Sequence, residues 1–434
     1  MSKQQRNDGL SWQGTACTSG MARVSYHTSV QSLGFRAYLG TLFLGALNDN
    51  LFKMLIVCLA MRLLDAKGAQ GFVPMAGACF ILPYVIFSRH AGYLADRCAK
   101  RQVMVWTKVA EIAIMLLGML FFKLRLIYGL LCVLFLMGTQ STYFSPAKYG
   151  FLPEVLAQDE LSRGNGLTQL FTFLPIIIGS WLGGVLSSRF EDNLTLPGCC
   201  CVVIAVVGWL CSLKIAETPQ GNPRAQSIAY WKVFGKMRQD GLLMLSLLGN
   251  TYFWFLGAMI QLSVPFLTSA LHGSDALTGN LMAAIAIGIG LGCAAAGYLS
   301  KDRIGYGLVC PGGLTTGAIL LLAAATFRLS AGWCAALLAT TGFACGFFQL
   351  PLGTSLQQRC PAKVRGSYLA VANVLDSLSI TLASLAMWLI QSPLRLGIRG
   401  VLTFGAVLTI AVTFIIVRKS PAFLERTRQL LTRR

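Results

Sequence analysis

Long apolar runs separated by short polar connections fill this chain, falling at about 36–62, 71–95, 102–122, 126–147, 165–188, 198–216, 240–270, 277–299, 308–327, 332–352, 367–390 and 399–417. Each is long enough to cross a hydrocarbon layer as a tilted helix, which needs roughly 20 apolar residues at 1.5 Å rise per residue. The pattern predicts an all-α membrane protein of twelve transmembrane helices. The polar segments then divide the chain into a tail over 1–35, a six-helix bundle over 36–216, a linker over 217–238, a second bundle over 239–417 and a basic tail over 418–434.

Composition agrees with the pattern. Of 434 residues 55% are hydrophobic and only 12% charged, with no polar block large enough for a separate soluble domain, which excludes soluble enzymes and nucleic-acid-binding modules. The net charge of +20 is unevenly placed. With the amino terminus on the cytoplasmic side, 25 of the 36 Lys and Arg residues fall on that side and 8 on the other, which predicts both termini inside. The first 35 residues lack a short apolar core followed by a cleavage site and read as a cytoplasmic tail rather than a signal peptide. Most of the 14 cysteines lie within apolar runs, no Cys-x-x-Cys occurs, and His27, His90 and His272 are scattered, so no disulfide framework, metal site or cofactor is expected.

The two halves repeat. Gly92-Tyr93-Leu94-Ala95-Asp96-Arg97 after the second run is echoed by Gly297-Tyr298-Leu299-Ser300-Lys301-Asp302-Arg303 after the eighth. Pro146 and Pro351 share that spacing, and Arg163-Gly164 is matched by Arg365-Gly366. Two parallel halves related by an axis along the membrane normal follow from such a repeat. The stretch from Gly92 to Arg101 closely resembles the signature loop of the major facilitator superfamily, and its partial copy at Gly297 to Arg303 strengthens the resemblance. The resemblance implies a cytoplasmic gate between the halves, with Gly92, Asp96, Arg97, Lys100, Arg101, Pro146, Lys148, Asp302 and Arg303 as gating residues. Glycine-rich stretches in the fifth and eighth runs, Gly179, Gly183 and Gly184 in one and Gly288, Gly290, Gly292 and Gly297 in the other, suit close helix packing across the halves.

Charge inside the apolar runs marks the candidate site. Asp49, flanked by Asn48 and Asn50, lies about 20 Å along its helix from Arg36, near mid-membrane. A charge there costs roughly 2.5–3.5 kcal/mol on insertion scales unless it faces a cavity or a partner. Lys53 follows in the favourable i, i+4 order, so a structural ion pair and a substrate site are both open. Lys108 and Glu111 stand one turn apart in the third run, where a gate brace and a substrate role weigh equally, and Asp376 is a lone acid in the eleventh. Arg89-His90 precedes the signature loop, but His90 and Asp96 are too far apart in sequence for an acyltransferase-like His-x4-Asp pair. No nucleophile and base are arranged for catalysis, and no enzymatic activity is expected.

Three further stretches resemble the bacterial lysophospholipid transporter family, including versions fused to an acyltransferase: Gly45 to Lys53, Lys108 to Glu111, and Phe144-Ser145-Pro146-Ala147-Lys148-Tyr149-Gly150 continuing through Glu154 to Leu167. The resemblance implies movement of a lysophospholipid from the outer to the inner leaflet of a bacterial inner membrane, for reacylation by an acyltransferase expected on a separate polypeptide. Lys53 and then Lys108 would meet the phosphate, Asp49 and then Glu111 an ammonium group. A proton-coupled exporter of amphipathic compounds, or a non-transporting scaffold for a lipid enzyme, are the alternatives.

Overall fold

The computed structural model describes residues 28–190, 193–300 and 304–420. Its helices are α1 (Leu33–Leu63), α2 (Ala66–Arg97), α3 (Lys100–Lys123), α4 (Ile127–Val155), α5 (Leu161–Arg189), α6 (Thr195–Ser212), α7 (Tyr230–Met237), α8 (Gly241–Ala270), α9 (Asp275–Leu299), α10 (Val309–Thr326), α11 (Ala331–Arg359), α12 (Arg365–Gln391) and α13 (Gly397–Lys419). Eleven of these segments are long and apolar enough to cross a membrane, and α2, 32 residues long, is the twelfth long helix. The only β pairing among the described residues is an isolated bridge between Thr28 and Leu156.

The packing repeats as the sequence does. In the first six-helix bundle α1 lies on α5 and α6, α2 on α4, and α3 on α4 and α6; in the second, α8 lies on α12 and α13, α9 on α11, and α10 on α11 and α13. The bundles meet along α5 with α9 and α2 with α12, equivalent pairs under the repeat. Helices in lipid gain little from the hydrophobic effect against one another, so close backbone approach has to supply the attraction. Small residues permit it. Gly183 lies so near Leu51 of α1 that an added Cβ would stand 2.8 Å from its carbonyl oxygen. Gly179 likewise faces α1, and Gly288 and Gly292 face α11. The paired glycines expected to line the seam between halves therefore hold each half together. At the seam between α5 and α9, Gly297 lies against Ser162 and Gly290 against Leu170, as expected, and Gly166 lies against Cys293.

Helix ends are capped in the usual way at α1, where Ser32 accepts the Phe35 N–H at 3.2 Å, and at α8, where Asp240 accepts those of Leu242 and Leu243. Helix α12 has no side-chain cap of its own. Its cap comes from the other half, through Asp96.

Candidate functional site

Between the halves lies a cavity of about 360 Å³, within the range of small-molecule sites. Its walls are polar stripes on otherwise apolar helices. On α4 Ser141, Ser145, Lys148 and Tyr149 recur at helical spacing and share one face; α5 contributes Asn165, Gln169 and Thr172 in the same manner, and α12 contributes Asn373 and Asp376. Asn250 of α8 and Gln349 and Gln357 of α11 complete the polar lining, while Phe80, Ile81, Ile176, Trp254 and Ile380 are among its apolar members.

Three ionisable groups in this cavity form no ion pair within 4 Å among the described residues. Lys148 donates to the Thr172 hydroxyl at 2.9 Å and lies 4.8 Å from the centre of the Tyr149 ring, with no carboxylate in contact. Asp49 accepts only from Ser141, at 3.2 Å. Asp376 accepts from Asn250 at 3.0 Å and Thr251 at 2.9 Å, both neutral donors. Groups in this condition can take a charged guest as partner through charge-assisted hydrogen bonds.

The other cavity cation is neutralised. Lys108 binds Glu111 at 2.5 Å, both side chains almost fully buried, and Asn48 donates to the second Glu111 oxygen at 2.9 Å. Gly45 makes room for this ammonium group, since a Cβ there would overlap Nζ. Lys108 and Glu111 both edge the cavity, whereas Asn48 is wholly buried behind it. Lys53 forms no ion pair with Asp49; its ammonium sits 4.4 Å from the centre of the Phe80 ring and does not line the cavity. Asn50 lines the wall and turns its amide back to the Ala46 carbonyl.

At the α2–α3 end the cavity is closed by polar bonds between halves. Gln357 donates to Asn165 at 2.8 Å and Ser145 to Asn373 at 3.1 Å. Beyond them Asp96 accepts the Gly366 N–H at 2.6 Å and the Ser367 N–H at 2.9 Å, the two bonds that a cap side chain within α12 would make. Gly92 allows this approach, because a Cβ would stand 2.7 Å from both the Ala370 methyl and the Gly366 carbonyl oxygen. Glu154 at the end of α4 binds Lys100 at 2.5 Å and reaches Arg365 at 3.9 Å. The hydrogen bonds and ion pairs described between the halves all lie at this end of the cavity.

The linker covers the same end. Asn222 donates to the Asp96 carbonyl at 2.8 Å, Arg101 binds the Leu213 carbonyl at 2.6 Å and lies 3.6 Å from Glu217, and Arg89 donates to the Ser227 hydroxyl at 3.0 Å. Arg97 points outward to Tyr93, and Pro146 is buried within α4. His90 meets the Tyr143 hydroxyl at 2.8 Å. Asp302 and Arg303 lie outside the described residues.

The structure thus brings together Asp49, Asn50, Lys108, Glu111, Lys148 and Asp376 around one cavity and Gly92, Asp96 and Lys100 at one seam. Sequence reasoning missed Glu154 and the amide-bearing wall of Asn165, Gln169, Asn250, Gln349, Gln357 and Asn373. The available signal was the presence of Asn and Gln inside apolar runs, with Asn165 and Gln169 one turn apart and Gln349 and Gln357 two turns apart. The Nδ2 atom of Asn373 and the Oε1 atom of Gln357 are buried with no hydrogen-bond partner among the described residues.

Comparison with known proteins bears on this geometry. Residues 38–384 match the family description "Major Facilitator Superfamily". The lysophospholipid transporter LplT of Serratia proteamaculans is 29% identical over 350 residues, covering 78% of this chain and 84% of the relative. That of Yersinia enterocolitica is 30% identical, with coverage of 81% and 85%. Among solved structures, the human organic anion transporter MFSD10 superposes with a TM-score of 0.72 at 15% identity, covering 88% of this chain and 99% of that one. The transporter FucP in its outward conformation gives a TM-score of 0.68 at 16% identity, with coverage of 89% and 98%.

Proposed function

Because this chain belongs to the major facilitator superfamily, and within it to the lysophospholipid transporter family, we propose that it carries lysophospholipids from the outer to the inner leaflet of a bacterial inner membrane. It is a multi-pass membrane transporter; the cargo, the direction and the supply of an acyltransferase are the proposal. The single observation that carries it is the coexistence, in one cavity, of a basic group and two acids that form no ion pair among the described residues, Lys148 against Asp49 and Asp376. A zwitterionic head group meets two of these three groups, with its phosphate at Lys148 and its ammonium at one of the two carboxylates, while the other carboxylate keeps its neutral donors. Phe80, Ile81, Ile176, Trp254 and Ile380 offer an acyl chain apolar contact beside the polar floor.

Transport then follows alternating access. The α2–α3 end, cytoplasmic by its basic residues, is closed by polar bonds between halves, a geometry suited to loading from the outer leaflet. Delivery requires Asp96 to leave α12, and Gln357 and Ser145 to release Asn165 and Asn373, so a head group that pulls the halves together around the cavity shifts the balance toward opening on the other side.

Reconstituted protein with fluorescent lysophosphatidylethanolamine, lysophosphatidic acid and diacyl phosphatidylethanolamine tests the reading. Faster inward movement of the zwitterionic lyso form than of either other lipid is expected. Equal movement of all three, or no lipid movement beside proton-driven export of a cationic amphiphile, overturns it in favour of an exporter.

A further inference from the structure

Helix α7 belongs to neither six-helix repeat. Val233 and Met237, one turn apart, are buried on its inner side in a cluster with Leu243, Leu247, Leu356 and Tyr368. Its other side carries Trp231, 73% exposed, with Lys232 and Lys236 exposed beside it and Arg238 exposed just past its end. None of these three cations forms an ion pair among the described residues; the nearby Asp240 is taken by Arg359 at 2.8 Å.

Position decides what such a surface meets. Only Arg238, Gln239 and Asp240 separate α7 from α8, whose first residue Gly241 begins a membrane span, so α7 stands within about a turn of helix from the bilayer edge. An indole prefers the head-group layer to water, because its ring is apolar and its N–H finds acceptors there. Unpaired basic side chains beside it are complementary to anionic head groups and not to zwitterionic ones.

We propose that the outer face of α7 is a docking surface for anionic phospholipid head groups in the leaflet at the α2–α3 end. The inner face of α7 packs on α12, the helix that Asp96 caps, so the docked lipid is in mechanical contact with the gate through Tyr368. The site is separate from the cargo cavity and does not depend on which lipid is carried.

The test uses the full chain in vesicles of phosphatidylcholine containing a trace of spin-labelled phosphatidylglycerol or spin-labelled phosphatidylcholine, labelled near the head group. Trp231 emission is isolated as the difference between the wild type and Trp231→Phe. Quenching of this component by labelled phosphatidylglycerol in clear excess over phosphatidylcholine is expected, with the excess reduced by roughly fivefold for each charge removed in Lys232→Gln, Lys236→Gln and Arg238→Gln. Raising ionic strength on the wild type should erase the same excess without any substitution. Equal quenching by the two lipids, an excess indifferent to salt, or a Trp231 component unreached by either lipid overturns the proposal.

Discussion

Asp96 holds Ser367 across the seam between the two halves by two hydrogen bonds, from the backbone N–H at 2.9 Å and from the hydroxyl at 2.6 Å. An acid in one half thus serves as the helix cap of the other. The partial positive charge at the start of α12 adds to the attraction. When the seam opens, those backbone donors lose their partner together, so the bond is a state-dependent contribution to closure and not a constant of the fold.

Asp96→Ala should therefore favour the state open at the α2–α3 end. Truncating one partner of a buried, charge-assisted contact costs about 2–5 kcal/mol. In a cysteine-free background, a single cysteine at 354, buried at the cavity wall, should react faster with an impermeant thiol reagent applied from that side. Ser367→Ala, which leaves both N–H bonds in place, should produce a smaller change of the same sign. An unchanged labelling rate in Asp96→Ala would show that the seam is held elsewhere.

Lys148 should matter for uptake and little for folding. It has no carboxylate to strand, so Lys148→Met leaves no unpaired buried charge, and folded yield by size-exclusion chromatography should stay near that of the wild type. Uptake of lysophosphatidylethanolamine should fall at least about tenfold, the ordinary worth of one charge-assisted hydrogen bond. Retained uptake in Lys148→Met would remove this residue from the head-group site.

Lys108 is the contrasting case. Lys108→Met strands Glu111 in a nearly dry position, at about 3–5 kcal/mol, and folded yield should drop. Adding Glu111→Gln, which keeps an acceptor for Asn48, should recover the yield. The coupling in this double-mutant cycle reads the pair directly; additive losses would mean that the ion pair contributes nothing beyond its members.

Much of the fold was legible because membrane insertion forces a simple code: long apolar runs separated by short polar loops, with a repeat between halves. The site was only partly legible, for a geometric reason. Sequence places Asp49 and Lys53 one turn apart, but a turn of helix does not fix where long side chains end, and Lys53 extends to the Phe80 ring instead. Lys148 sits in a motif read as part of the gate, and the hydrogen bond from helix α4 to Thr172 of α5 that sets it in the cavity joins residues whose pairing no local pattern reveals. The same holds for Asp376, whose partners Asn250 and Thr251 are more than a hundred residues away in the chain.

Asp240, at the start of α8, gives a pH dependence with a definite sign. Partial burial pushes its carboxyl up, but the Leu243 N–H and the Arg359 guanidinium outweigh burial and hold it below the ordinary carboxylate range. A group depressed in the folded state contributes stability above its unfolded pKa and loses it as pH falls through the folded one. Asp240→Asn keeps a cap side chain but not the charge. It should melt below the wild type at neutral pH, with the gap closing on acidification below the ordinary carboxylate range; a gap independent of pH would assign the loss to capping alone.

Glycines at the seam and glycines within a half should behave differently when enlarged. Gly183 packs on Leu51 and Met54 of its own half, where a Cβ would stand 2.8 and 2.7 Å from the Leu51 carbonyl oxygen and the Met54 Cβ. That contact is internal to a rigid bundle and persists in every state of the cycle. Gly183→Val should lower folded yield and leave the distribution between states of the surviving protein unchanged. Gly166 instead meets Cys293 across the seam, with a Cβ 2.6 Å from its carbonyl oxygen. The clash in Gly166→Val exists only while the halves are closed at the α2–α3 end, so the open state escapes it. The variant should fold in normal yield yet expose a cysteine at 354 to reagent from that side, as Asp96→Ala does. Overpacking costs about 1–3 kcal/mol, enough to change the ratio of states by roughly five- to a hundredfold. Were Gly166→Val to reduce yield without altering the labelling rate, α5 and α9 would have to move as one body, and the seam that opens would be elsewhere.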